Sequence, residues 1–251
     1  MNNFKKTLVL FACAVLLVVG SIFGTLAYLT DSETVTNTFT VGNVGLTLNE
    51  AWVNDKGEML KADGTVTTNL EEAARWQPVV NAEDNTKSDL AQEYHLLPGH
   101  TYVKDPTVTV DANSEESYVR MMVKVENIDQ LKLAFPDAQY YGTDDVFLLQ
   151  LLCLDDDNGN CTWDSTKWLM NGYTPSDDGK TGTYEFRYYQ KVSKSSASTK
   201  LPALFTHITV PGAIDNEHLA YLDSVEIIVT AHAIQADGFA DAGKAWEAFT
   251  E

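Results

Sequence analysis

Apolar and polar residues alternate through Ser117-Tyr118-Val119-Arg120-Met121-Met122-Val123-Lys124-Val125-Glu126. Val119, Met121, Val123 and Val125 fall on one face, with Tyr118, Arg120, Lys124 and Glu126 on the other, as a half-buried strand requires. Val225, Ile227, Val229, Ala231 and Ala233 repeat the pattern near the end of the chain. Residues 39–48, 107–110, 147–154, 183–191 and 204–210 read as further strands, each bounded by Gly, Pro, Asn or Asp. Helical signals are short. Residues 69–76 open on an Asn cap followed by early glutamates, favourable at a helix N-terminus. Residues 128–135 allow two turns before Pro136, and 241–249 predict a terminal helix docking Trp246 and Phe249. Polar stretches at 54–89 and 193–199 read as surface insertions. The pattern predicts an all-β fold: a single antiparallel β-sandwich with short helices and decorated loops.

The first residues obey a different rule. Lys5 and Lys6 precede a stretch with no charge until Asp31, almost continuously apolar from Leu8 to Phe23. A basic start, an apolar run and small residues at Thr25 and Ala27 describe a secretory signal peptide cut between Ala27 and Tyr28. Residues 1–27 are then the signal and 28–251 the secreted domain, with residues 28–48 as its N-terminal strand or arm. An uncleaved anchor is the rival reading, because the run is long enough to span the ~30 Å hydrocarbon core of a bilayer. Under cleavage, contact with a membrane ends at processing. No Leu-Pro-x-Thr-Gly wall-sorting signal follows; Leu201-Pro202-Ala203-Leu204 is internal and lacks the Thr-Gly.

Charge narrows the partners. The chain has 36 acidic and 17 basic residues, a formal net charge of −19, and loss of Lys5 and Lys6 makes it −21. Nucleic-acid binding is excluded, since phosphate neutralisation needs clustered Lys and Arg. Two cysteines lie in the mature part, Cys153 and Cys161, flanking Leu154-Asp155-Asp156-Asp157-Asn158-Gly159-Asn160. Asn-Gly is a strong hairpin signal. Outside the cell the cysteines either close this hairpin as a disulfide or stay as two thiols.

The catalytic inventory is thin. His95, His100, His207, His218 and His232 form no His-Glu-x-x-His pair, which a zinc peptidase usually carries one helical turn apart. There is no Gly-x-Ser-x-Gly elbow and no Gly-rich phosphate loop. No cofactor is expected. Two acidic turns are the calcium candidates: Asp155 and Asp157 in one, Asp177 and Asp178 in the other. The first departs from a calcium loop because Leu154 occupies the first ligand place. Tyr184, Phe186 and Tyr188 share a strand face, where packing is a commoner role than a glycan platform.

Gly24-Thr25-Leu26-Ala27-Tyr28-Leu29-Thr30-Asp31-Ser32-Glu33-Thr34-Val35-Thr36-Asn37-Thr38-Phe39-Thr40-Val41-Gly42-Asn43-Val44 resembles the signal and mature start of Gram-positive proteins processed by a SipW-type signal peptidase. That group comprises the TasA and camelysin (CalY) proteins. Leu97-Pro98-Gly99-His100-Thr101-Tyr102-Val103-Lys104-Asp105-Pro106-Thr107-Val108-Thr109-Val110 is similar to the same group, as is Ala233-Ile234-Gln235-Ala236-Asp237-Gly238-Phe239 with Ala245-Trp246. The resemblance implies a jelly-roll-like sandwich at the cell surface or in the biofilm matrix of a Gram-positive bacterium. It implies a SipW-type peptidase as processing partner, and a homo-polymer or paralogous matrix proteins as assembly partners. It also implies fibre formation by strand exchange, for which Thr38, Phe39, Thr40, Val41 and Gly42 are the candidates. The insertion at 54–89 and the Cys153–Cys161 hairpin depart from the fibre-formers. Two alternatives stand beside the structural role: a camelysin-like surface metallopeptidase, and a surface adhesin or binding module.

Overall fold

The computed structural model describes residues 44–76, 94–135, 163–210, 212 and 214–249. Among the described residues ten strands interleave with three short helices. The strands are β1 (Leu46–Ala51), β2 (Arg75–Trp76), β3 (Thr101–Val103), β4 (Thr107–Val110), β5 (Ser117–Glu126), β6 (Trp168–Pro175), β7 (Thr181–Tyr188), β8 (Thr199–Lys200), β9 (His207–Thr209) and β10 (Glu226–Gln235). The helices are α1 (Ile128–Ala134), α2 (Asn216–Ala220) and α3 (Ala242–Ala248), with a 3-10 turn at Tyr221–Ser224 after α2.

All pairings among the described strands are antiparallel. The larger sheet runs β10-β5-β7-β6, the smaller β2-β1-β4-β8, and β3 pairs with β9 apart from both. β5 is the spine of the larger sheet, in register with β10 from Glu126↔Glu226 to Ser117↔Gln235 and with β7 from Glu126↔Thr181 to Arg120↔Arg187. Its period-two pattern makes this register obligatory, because a slip of one residue would turn the apolar set outward. Val119, Met121, Val123 and Val125 are fully enclosed, each stabilising the fold by roughly 1.5–3 kcal/mol. With Trp168, Tyr184 and Phe186 they meet Val108 and Val110 of β4 and the inward side of Leu46 and Leu48 in one core. The chain is an all-β antiparallel sandwich with short helices, as its alternation predicts.

The buried indoles keep their polar edges satisfied. Trp168 Nε1 donates to the Pro202 carbonyl at 3.0 Å, and Trp163 Nε1 to the Trp168 carbonyl at 2.8 Å. Tyr184, Phe186 and Trp168 are core residues, so they form no exposed aromatic platform. α1 buries Ile128, Leu131 and Ala134, a helical stripe, and α3 buries Ala245 and Trp246 behind an Asp241 cap whose side chain accepts from the Lys244 N–H.

One predicted helix is absent. Residues 69–76 form a turn and then strand β2. The Asn69 side chain accepts from Glu71 N–H at 3.0 Å, and its carbonyl from Glu72 N–H at 3.1 Å. The cap reading of Asn69 holds locally, but Arg75 and Trp76 pair with Ala51 and Glu50. Sheet pairing and the ion pair of Arg75 outweigh a weak helical preference. The strand expected at 204–210 shrinks to β9, and that expected at 183–191 lies at 181–188. The strand expected at 147–154 lies outside the described residues.

Candidate functional site

Several sequence candidates lie outside the described residues: the Ala27–Tyr28 cleavage point, Thr38, Phe39, Thr40, Val41 and Gly42, the Cys153–Cys161 pair, and Asp155 and Asp157. Among the described residues, Gly45 stands just ahead of β1. Gly45 N–H donates to Ser114 Oγ at 3.1 Å, Ser114 Oγ reaches back to the Gly45 carbonyl at 3.3 Å, and Asp111 N–H donates to that carbonyl at 2.9 Å. A Cβ at Gly45 would collide with the Asp111 carboxylate. The chain is therefore pinned at Gly45, four residues beyond Val41. No pattern in the sequence marked Gly45 or Ser114, because their contact spans 69 residues.

Among the described residues, β6 and β10 are the outermost strands of the larger sheet, each bonded to one neighbour. β6 carries an irregularity between Met170 and Gly172, where Asn171 is the extra residue. Such bulges twist an edge and limit pairing. Leu169 on this strand is 50% exposed.

The second acidic turn joins β6 to β7. Asp178 Oδ1 accepts from Ser176 Oγ at 2.7 Å and from Lys180 N–H at 3.1 Å. The Ser176 bond, then the Lys180 amide, hold the Asp178 carboxyl below its usual range. This carboxylate closes its own turn, and Asp177 stands exposed beside it. Among the described residues no three His, Cys, Asp or Glu side chains converge as a metal site. His218 caps locally on Asp215 (2.7 Å), His207 Nδ1 bonds Thr206 Oγ1 (2.8 Å), and His232 lies on β10.

The densest chemistry lies where the folded part of the insertion meets the smaller sheet. Lys104 Nζ donates to both carboxylate oxygens of Glu50 at 3.0 Å, with both side chains almost wholly buried. Beside it Asp105 accepts from Ala51 N–H and from Arg75 Nη1, each at 2.6 Å, while Arg75 Nε donates to Asn49 Oδ1 at 2.9 Å. Tyr94 Oη donates to the Val103 carbonyl at 3.2 Å. Burial, then the charges of Glu50 and Asp105, raise its phenol far above the ordinary range. Two opposite-charge pairs thus tie β1, β2 and the β3–β4 link together.

A second polar cluster covers the outer face of the larger sheet. Glu185 accepts from Arg120 (3.2 Å), from Arg187 (2.9 Å) and from Asn171 (2.8 Å). Burial pushes its carboxyl up, but the bonds from Arg187 and Asn171, then from Arg120, outweigh burial and leave it lowered. Comparison with family models, with curated proteins and with solved structures returned no match.

Proposed function

We propose that the chain is a secreted structural protein of the Gram-positive cell surface or biofilm matrix, of the TasA/camelysin kind, which assembles when residues 38–42 of one subunit join a sheet edge of the next. The observation that carries the reading is the root of the arm. The chain is clamped at Gly45 by Ser114 and Asp111, immediately before β1. Residues 38–42 lie in sequence just ahead of that clamp, and in this reading they add to a sheet edge of another copy. Phe39 and Val41 alternate with Thr38 and Thr40 as an incoming strand needs: main-chain bonds supply affinity and the two apolar side chains supply fit. A SipW-type peptidase would free the segment by cutting after Ala27, and copies of the chain or related matrix proteins would receive it.

The mature protein and a variant starting at Gly42 should be compared by sedimentation and electron microscopy. Filaments in the first and monomers in the second are expected. Identical monomers in both would overturn the proposal.

A further inference from the structure

The Asn-Gly step at residues 171–172 does not form a turn. Asn-Gly ordinarily serves a tight hairpin, where both residues need a positive φ. Here it lies inside β6, an outermost strand of the larger sheet among the described residues. Met170 is in register with Phe186 and Gly172 with Glu185, so Asn171 is the extra residue of a bulge. Neither Asn171 nor Gly172 has a positive φ, and a Cβ at Gly172 would meet nothing within 4 Å. Neither backbone strain nor lack of space therefore calls for glycine at 172, and glycine inside a strand weakens it. What the missing side chain does leave is an unshielded backbone nitrogen beside the Asn171 amide.

We propose that Asn171 is a site of spontaneous deamidation, in which the Gly172 backbone nitrogen displaces the Asn171 side-chain amide. The Gly172 nitrogen attacks Asn171 Cγ and forms the N–Cγ bond of a cyclic imide. The Cγ–Nδ2 bond breaks, and Nδ2 leaves as ammonia with the proton given up by the Gly172 amide. Water then adds to either imide carbonyl and opens the ring, to aspartate by one route and to isoaspartate by the other. Asn171 is exposed, so water reaches the imide. The attack needs the Asn171 side chain to swing over the following nitrogen. A strand bonded to one neighbour opens for such a movement more readily than a central strand bonded on both sides.

The conversion alters the charge cluster on this face. Asn171 Nδ2 donates to Glu185 Oε2 at 2.8 Å, and Arg187 Nη2 donates to the same oxygen at 3.2 Å. Aspartate at 171 has no side-chain N–H to give, so a carboxylate faces Glu185 where a donor stood, and the like charges repel. Isoaspartate carries the main chain through the former side chain. It puts an extra backbone atom into β6 between the residues in register with Phe186 and Glu185.

Peptide mapping by mass spectrometry tests the site, on the full chain held folded at neutral pH and sampled over weeks beside a sample unfolded in urea. Cleavage after Lys167 and Lys180 isolates residues 168–180 from the chain's other Asn-Gly step, Asn158-Gly159. Aspartate and isoaspartate at 171 should accumulate in the folded protein at a rate less than about 10³-fold below that of the unfolded chain. A folded rate lower by about 10³ or more would mean that the reaction waits for global unfolding, and would overturn the proposal. Asn171→Gln should lose the products at 171. Gly172→Ala, whose methyl group enters open space, should convert more slowly than the wild type, and an unchanged rate there would also overturn the proposal. The ratio of folded to unfolded rates is read on the wild type, so it decides even where a variant fails to fold.

Discussion

Glu50 and Lys104 show what a single buried pair does in this molecule. Each side chain is almost wholly removed from water, and each satisfies the other through two bonds of 3.0 Å. Replacing both with apolar residues would cost little, since the Coulombic gain in such pairs roughly offsets desolvation. Removing one is different. Lys104→Met leaves Glu50 charged and enclosed beside Asp105, and should lower stability by about 3–5 kcal/mol. The double variant Glu50→Leu with Lys104→Met should recover most of that loss. Urea denaturation of the three proteins measures it, and equal losses in single and double variants would show that the pair holds no coupled charge.

At the scale of elements, the joint between β7 and α1 is closely packed. Gly182 stands opposite Val125 and Pro175 in the sheet. A Cβ there would lie 2.6 Å from Tyr173 Cε2 and 2.7 Å from Ile128 Cδ1. Both neighbours are rigidly placed: Ile128 is fully buried at the start of α1, and Tyr173 packs on Tyr184 with ring centroids 4.8 Å apart. Gly182→Ala therefore overpacks a closed site and should cost about 1–3 kcal/mol. Thermal unfolding followed by circular dichroism reads the loss. An unchanged midpoint would mean that α1 moves aside freely.

The whole molecule is governed by its charge. A net −19 opposes any contact between copies, and it acts over distances that salt shortens to about 8 Å at physiological ionic strength. The described cations do little to relieve it: Lys191, Lys194 and Lys124 each pair with a nearby glutamate. Under the proposed strand addition, assembly should therefore be weak near ~0.01 M salt and strengthen toward ~0.15 M, with divalent cations acting further. Sedimentation of the mature protein across that range checks it. Assembly that weakens with salt would assign the contact to charge attraction instead.

Sequence alone determined the strands whose partners need only a face. The alternation of Val119, Met121, Val123 and Val125 and that of β10 specify half-buried strands because a pleat repeats every two residues. The helices α1 and α3 were similarly legible from local pattern, with Pro136 closing the first and Trp246 and Phe249 docking the second. Tertiary structure alone decided the fate of residues 69–76, where Arg75 is drawn to Asp105 across 30 positions, and the clamp on Gly45. It alone joined Lys104 to Glu50, separated by 54 positions, and Arg120 to His232, separated by 112. In each of these pairs the partner lies far along the chain, in a strand or link that only the folded structure brings alongside.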